Sequence, residues 1–278
     1  MEKFFMFTQG RTGSTAIIDE LNKHPEIACL QELFIPKVNA PILMDAHEKY
    51  AENFLEHVDS PYPLVPFEVF RLQYKKVFSF PMDVYRRSGK FKRFGQIMLD
   101  YLDAIEQYGK EQGATAVGFK ALTNHVDAHP GILEKLRQGD YQVLYLERKN
   151  VVNKVLSGVV AEQRGVYNRK DFVVPEETYT IDLDDFILKV QCTVEGVQTE
   201  KKMLKSAGFP LLEVSYEDFV ADREAFFTPV FEFLGVEYRL PTQSDYSKMI
   251  NKPIHEVVEN YTEFAARVHE LGMGDMLA

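Results

Sequence analysis

The sequence predicts an α/β fold in which helices cover both faces of a central parallel sheet. Short apolar runs recur along the chain, and between them apolar residues fall at the three- and four-residue spacing of amphipathic helices. The first run is followed by two glycines and then by a helical pattern, as in the opening unit of a doubly wound sheet. The 278 residues are 45% hydrophobic and 27% charged, which suits one globular domain.

Five segments have the length and composition of buried strands. They are residues 4–8, 27–30, 116–120, 142–146 and 210–214. Helical patterns accompany them at residues 16–21, 94–108, 130–138, from 151 onward, after the acidic segment 176–185, and, following residues 216–219, through 226 to 234. Pro25 disfavours helical geometry in the residue before it, so the first helix should end before that point.

Residues 36–95 interrupt the regular alternation of strands and helices. Three prolines fall between residues 61 and 66, which indicates loops and short helices. We therefore expect a single domain over residues 1–278, in which 36–95 forms a mainly helical or loop insertion that caps the sheet. Its aromatic residues Phe67, Phe70 and Tyr74 either line an apolar wall or belong to the core.

Composition excludes several classes of protein. A net charge of −10 argues against sequence-independent binding of nucleic acid, which requires neutralisation of phosphates by Lys and Arg. Two cysteines are too few for a disulfide framework. The apolar N-terminal run is too short for a signal peptide, and no stretch has membrane-spanning length. We expect a cytoplasmic protein without nucleic-acid or integral membrane contact.

A glycine-containing loop between the first strand and the first helix is the leading candidate for a binding site. Backbone N–H groups and the helix dipole at such a position attract anions. The loop is not a Walker A sequence, because the Gly-x-x-x-x-Gly-Lys-Ser/Thr spacing fails and the phosphate-binding lysine is missing. A tight turn with a well-capped helix is the alternative. The candidate residues are Gly10, Arg11, Thr12, Gly13, Ser14 and Thr15.

The run from Arg11 to Thr15 resembles the loop of the sulfotransferase family that uses 3′-phosphoadenosine 5′-phosphosulfate (PAPS). That loop binds the 5′-phosphosulfate through a basic-Ser/Thr-Gly-Ser/Thr-Thr pattern. Arginine at the first position, with His24-Pro25 and Glu32-Leu33-Phe34, is similar to the bacterial and carbohydrate-type branch. The resemblance implies a P-loop-like sulfotransferase fold, PAPS as co-substrate, 3′-phosphoadenosine 5′-phosphate (PAP) as product, and no metal.

A second resemblance concerns the 3′-phosphate of the nucleotide. In the family, an arginine at the end of a strand and a serine on the next helix hold this phosphate, since a guanidinium and a hydroxyl can converge on it. Residues 143–157 resemble this element. The usual spacing counted back from Ser157 reaches Lys149, whereas strand alignment favours Arg148. We assign Arg148 first and Lys149 second. Residues 214–219 and 231–236 resemble the family's C-terminal half.

Sulfuryl transfer needs charge stabilisation, which Arg11 would supply, and a base for the acceptor's proton. Glu32 follows the second strand at the edge where ligands bind, and several bacterial members use a glutamate, so it is our choice. His125 is the runner-up, together with His129. Their four-residue spacing could also hold a metal, although no third ligand is evident. Lys120 either contacts the sulfuryl group or acceptor, or is solvated.

The sequence thus predicts transfer of a sulfuryl group from PAPS to a hydroxyl or amine of an unidentified small-molecule, carbohydrate or lipid acceptor. A P-loop-type ATP-dependent kinase and a non-catalytic nucleotide-binding module are the alternatives. Only a sulfotransferase-type site commits Arg148 and Ser157 to a 3′-phosphate. Residues 251–253 are a possible counterpart of the family's segment that closes over the nucleotide. Without tryptophan, adenine stacking would fall to Phe or Tyr.

Overall fold

The computed structural model describes residues 1–35, 64, 66–71, 91–165, 177–246 and 250–277. A parallel sheet lies at the centre of these residues, and the predicted α/β class is confirmed. Its strands are β1 (Glu2–Thr8), β2 (Ile27–Glu32), β3 (Ala116–Leu122), β4 (Gln142–Glu147) and β5 (Leu211–Ser215). The spatial order is β2-β3-β1-β4-β5, and every neighbouring pair runs parallel.

Helices connect and cover the strands. In chain order they are α1 (Ser14–Leu21), α2 (Phe67–Phe70), α3 (Phe91–Glu111), α4 (Thr123–Ala128), α5 (Ile132–Gln138), α6 (Val151–Arg164), α7 (Leu183–Ala207), α8 (Tyr216–Ala221), α9 (Arg223–Phe233), α10 (Ile254–Val257) and α11 (Tyr261–Glu270). A 3₁₀ turn, Gly274–Leu277, follows. The strands and helices predicted within the described residues are present, with ends within a few residues of those expected.

Both faces of the sheet are buried, as the continuous apolar strands predict. Successive side chains of β1 point to opposite faces. Phe5 and Phe7 join a first cluster with α3, α5 and Phe119, while Phe4 and Met6 join a second cluster with α1 and α9. Buried Phe67 and Phe70 belong to the first cluster, so they are core residues. Tyr74 lies outside the described residues.

A third apolar cluster covers the C-terminal part of the chain. It joins α6 and α7 to α10 and α11, with Phe186 and Phe264 in edge contact at 4.8 Å between ring centroids. Its member Ile254 directly follows residues 251–253, the segment that the sequence offered as a counterpart of the nucleotide-closing element. The cluster therefore packs the end of this segment against α6.

Most of the proposed insertion, residues 36–95, lies outside the described part of the chain, and the single-domain organisation stays a prediction. Among the helices that are described, none combines the length and the apolar composition needed to cross a bilayer. Cys29 is buried and Cys192 exposed, and both are free thiols.

Candidate active site

A cleft of about 1090 Å³ opens at the carboxyl ends of the strands. This is the edge where ligands bind in open α/β sheets. The cleft brings together most of the residues singled out in the sequence. Those lining it are Gly10, Arg11, Thr12, Gly13, Ser14, Thr15, Glu32, Lys120, Arg148 and Ser157, together with residues 250–255.

The glycine loop is held at both ends by threonine hydroxyls. Thr8 Oγ1 donates to the carbonyl of Leu146 at 2.7 Å, and Thr12 Oγ1 lies 2.7 Å from Thr8 Oγ1. Gly13 has a φ of 76°, and a Cβ there would stand 2.5 Å from the ring of Tyr216, so only glycine fits. The loop leads directly into α1, where the N–H of Ala16 donates to the carbonyl of Gly13 at 3.0 Å. The N–H groups of Ser14 and Thr15 precede this bond, at the position where helical N–H groups lack an intrahelical partner.

Arg11, Arg148 and Ser157 converge on the cleft from three elements. Arg11 donates to Ser157 Oγ at 3.2 Å from Nη2, and Arg148 Nη1 donates to the carbonyl of Arg11 at 3.4 Å. The Arg148 guanidinium lies 4.7 Å from the ring centroid of Tyr216. Burial lowers the pKa of Arg148 from its usual value, although arginine stays charged in proteins.

One donor in this group is unsatisfied. Arg148 Nε is buried and has no hydrogen-bond partner among the residues that the structure describes. A buried polar group without a partner is costly, so an anionic ligand at this point would be stabilising. The set of two guanidinium groups, a serine hydroxyl and loop amides therefore fits a nucleotide with more than one phosphate.

Lys149 points away from this group. Its side chain is 57% exposed and pairs with Asp218 at 3.2 Å. The backbone N–H groups of Lys149 and Asn150 both donate to the carboxylate of Glu217. Of the two basic residues at the end of β4, the structure places only Arg148 at the cleft.

Glu32 lies at the opposite side of the cleft, in an ion pair. Its Oε1 is 2.7 Å from Nζ of Lys120, which also donates to Thr15 Oγ1 at 3.3 Å. The Lys120 side chain is only 4% exposed, so the solvated alternative does not apply, whereas Glu32 is 25% exposed. Lys120 thus connects the candidate base to the glycine loop.

His125 faces Glu32 from below the surface and does not line the cleft. The N–H of Leu122 donates to Nδ1 at 3.2 Å, and Nε2 lies 3.6 Å from Glu32 Oε2. Burial lowers the pKa of His125 to about 4, with a smaller opposing contribution from Glu32. The ring is therefore neutral at pH 7. Its acceptor nitrogen Nδ1 is occupied, and Nε2 is buried without a hydrogen-bond partner among the described residues, so His125 is poorly placed to act as a base.

His129 serves a different pair. Its Nδ1 donates to the carbonyl of His125 at 2.7 Å, and its Nε2 lies 2.9 Å from Glu68 Oε1. The two histidines therefore do not share a ligand. Across the described ranges, no group of three or more His, Cys, Asp or Glu side chains could hold a metal ion.

A profile described as "Sulfotransferase family" matches residues 4–239. The chain belongs to the sulfotransferase family. The match includes the glycine loop, Glu32, Lys120, and the β4–α6 corner with Arg148 and Ser157. It agrees with the family resemblance of the sequence motifs, and it supports sulfuryl transfer in general.

Three similar solved structures are also sulfotransferases. The sulfotransferase domain of the curacin biosynthetic pathway is 17% identical, with a TM-score of 0.47, over 92% of this chain and 82% of that one. A sulfotransferase from Alicyclobacillus acidocaldarius is 18% identical, with a TM-score of 0.41, over 98% and 94%. A mouse sulfotransferase complexed with PAP is 10% identical, with a TM-score of 0.40, over 86% and 60%. No curated protein matches the chain.

Two features of this sulfotransferase's cleft escaped the sequence analysis. Tyr216, which lies in the run 214–219 but was not among the candidate site residues, covers Gly13 and Arg148. Its position directly after a strand was the available signal. Glu20 is buried and accepts from Arg223 Nη2 at 2.6 Å and from the N–H of Ser244 at 2.9 Å. This second contact set joins residues far apart in the chain, so no local pattern predicts it.

Proposed function

We propose that this sulfotransferase uses PAPS as donor, transfers its sulfuryl group to a hydroxyl or amine of a small-molecule, carbohydrate or lipid acceptor, and releases PAP. The observation that carries the proposal is the convergence of Arg11, Arg148 and Ser157 on one cleft, with the buried Nε of Arg148 unpartnered in the described residues. A donor with phosphate groups at both 5′ and 3′ positions has the charges to match it.

The two ends of the donor would be held by different elements. The amides of the glycine loop and Arg11 bind the 5′-phosphosulfate, because a helix N-terminus and a fixed cation favour an anion there. Arg148 and Ser157 bind the 3′-phosphate. Tyr216 keeps the Arg148 guanidinium in place through its ring, and a tyrosine at this position can also flank the adenine.

Chemistry would take place between the glycine loop and Glu32. As the acceptor atom bonds to sulfur and the sulfur–phosphate oxygen bond breaks, Glu32 takes the acceptor's proton. Arg11 stabilises the negative charge that develops on the departing phosphate oxygen. Lys120 holds the Glu32 carboxylate beside Thr15 of the loop, so base and leaving group share one rigid support.

Calorimetric titration with PAP, 5′-AMP and Mg-ATP tests the donor without knowledge of the acceptor. The 3′-phosphate adds charged hydrogen bonds of about 1.5–3 kcal/mol, so PAP should bind roughly ten to a hundred times more tightly than 5′-AMP. Preference for Mg-ATP would instead indicate a kinase. Absence of binding to all three nucleotides would refute the proposal.

A further inference from the structure

The residue directly before the glycine loop, Gln9, is held by a hydrogen-bond network with two buried charged side chains. The side-chain amide of Gln9 accepts a hydrogen bond from Lys154 Nζ of α6. Its Nε2 donates to Glu200 Oε1 of α7 at 3.0 Å. A Cβ on Gly196 would lie 2.9 Å from Gln9 Nε2, so the amide rests directly on the backbone of α7. Gln9 is thereby fixed between two helices.

Glu200 anchors this network to the sheet. It is 2% exposed, and it accepts hydrogen bonds from the Tyr145 hydroxyl of β4 at 2.8 Å and from the Thr123 hydroxyl of α4. Its oxygens accept from three neutral donors, on Gln9, Tyr145 and Thr123, so the Glu200 side chain is fixed in position. Because Glu200 cannot move to compensate, a change in the charge of Lys154 alters its hydrogen bond with Gln9 and so acts on the adjoining glycine loop.

Lys154 is a buried cation whose direct partner is a neutral amide. It is 5% exposed. The charged groups that face it are Glu200 from α7, and Arg148 and Glu147 from the end of β4. Burial lowers the pKa of Lys154 to about 8, and Arg148 adds to this effect, while Glu200 and Glu147 oppose it. Lys154 is thus able to gain or lose its proton near neutral pH.

We propose that Lys154 is a positioning residue that controls donor binding through its proton. In the charged form it holds Gln9 and the glycine loop in place, and it adds a positive charge behind the loop that receives the phosphosulfate. In the neutral form that charge is lost, and the loop attracts an anion less strongly. The inference rests on the proposed donor class, because it requires a polyanionic nucleotide in the cleft.

The direction of the pH dependence follows from linkage. A bound anion favours charged Lys154 and so raises its pKa. Donor affinity should be greatest below the pKa of the free protein, about 8, and should fall as the pH rises through that value. Over the same range, binding must draw a proton from solution.

Calorimetry on the wild-type protein measures this proton directly. PAP is titrated at a pH about half a unit above the pKa of Lys154, in two buffers with different heats of ionisation. The phosphate groups, with a second pKa of about 6, are then fully ionised and contribute nothing. We expect uptake of about half a proton per PAP bound. The measurement needs no variant, so folding defects do not affect it.

Substitutions assign the proton to this lysine. Lys154→Met should abolish the uptake, weaken PAP binding about tenfold at pH 7, and flatten its decline at higher pH. Glu200→Gln removes the carboxylate that supports charged Lys154, so the decline should move to lower pH. Lys205→Met is the matched control. That lysine of α7 is 63% exposed and pairs with Glu213, and its loss should leave both affinity and uptake unchanged.

The outcomes separate this inference from the proposed function. Tight PAP binding without proton uptake, or with uptake that persists in Lys154→Met, would overturn the role of Lys154 and leave the donor assignment standing. Absence of PAP binding by the wild-type protein would overturn both. A loss of affinity in Lys154→Met with an unchanged pH profile would reduce Lys154 to a structural residue.

Discussion

The side chain of Glu32 points into the cleft because the pairing of β2 is irregular at one residue. The pairing of β2 with β3 shifts between Leu30 and Glu32, and the shift brings Glu32 into register with Lys120. In a regular strand the side-chain direction alternates, so an extra residue redirects the side chain that follows it. The bulge therefore sets the 2.7 Å ion pair on which the geometry of the candidate base depends.

Replacing Glu32 with Gln tests this residue as the base. Glu32→Gln keeps the shape but cannot accept a proton, so turnover of PAPS should fall about 10²–10⁴-fold. PAP affinity should change little, because Glu32 does not contact the phosphate-binding group. Labelled PAPS with a panel of phenols, sugars, aliphatic alcohols and amines gives the activity, and calorimetry gives the affinity.

The residue before the same strand offers a control for this substitution. Glu26→Gln removes an equal charge just before β2, at the end of the strand away from the cleft, where Glu26 accepts from Thr115 and from the N–H of Glu237. Its turnover should match the wild type. If Glu32→Gln retained full turnover with any accepted substrate, Glu32 would no longer be the base, and the neutral, buried His125 would need re-examination.

For single residues, the sequence predicts position along a strand but not side-chain pairing or ring orientation. The position of Glu32 after a strand was enough to place it at the ligand-binding edge. Its pairing with Lys120 depends on the register shift, which has no signature in composition. The orientation of His125 depends on the backbone N–H of Leu122, which donates to Nδ1. Which ring nitrogen accepts and which carries the proton cannot be predicted from residue types.

At the scale of elements, the β4–α6 corner determines which of the two basic residues after β4 faces the cleft. Successive residues leave a strand in opposite directions, so Arg148 and Lys149 cannot both face the cleft. Glu217 accepts from both backbone N–H groups of Lys149 and Asn150, and Asn150 caps α6 by accepting from Asn153. These contacts fix the corner with Arg148 inward.

Truncating Arg148 should therefore remove selectivity for the 3′-phosphate. Arg148→Ala should weaken PAP by about ten- to a hundredfold, and 5′-AMP by much less, since the lost contact is a charged hydrogen bond. Calorimetric titration of both nucleotides gives the ratio. Lys149→Ala decides between the neighbours, and its PAP affinity should stay within about threefold of the wild type.

Equal losses of PAP and 5′-AMP affinity in Arg148→Ala would indicate a structural role for this residue.

The sequence located the β4–α6 corner but did not determine which of its two basic residues faces the cleft, because motif spacing and strand alignment gave different answers. The long helix α3 was predicted from its apolar pattern alone, whereas for α7 only a helix following the acidic segment 176–185 was expected. The short helices α4 and α10 were not predicted, since four to six residues carry too little periodicity.

At the scale of the molecule, the cleft is bounded by parts of separate cores. The sheet and α1 supply the glycine loop, whereas α10 and α11 secure the segment at residues 250–255. The sequence predicted the sheet and the longer helices that cover it, because each of these elements has a local apolar pattern. It did not foresee the C-terminal cluster, whose contacts with α6 and α7 join distant parts of the chain.

Because only some apolar clusters border the cleft, we expect core substitutions of equal cost in stability to differ in their effect on nucleotide binding. Phe264→Ala leaves a cavity in the C-terminal cluster and should destabilise the protein by about 3–5 kcal/mol. PAP affinity should also fall several-fold, because Ile254 of the same cluster lines the cleft.

Phe209→Ala is the control, because it opens a comparable cavity against Phe5. Phe209 comes just before β5, so it lies at the ends of the strands opposite the cleft. Denaturant titration should show similar losses of stability, while PAP affinity of folded Phe209→Ala stays at the wild-type value. If both variants lost PAP affinity equally, the cleft would respond to global stability, and the C-terminal cluster would have no special part in holding its wall.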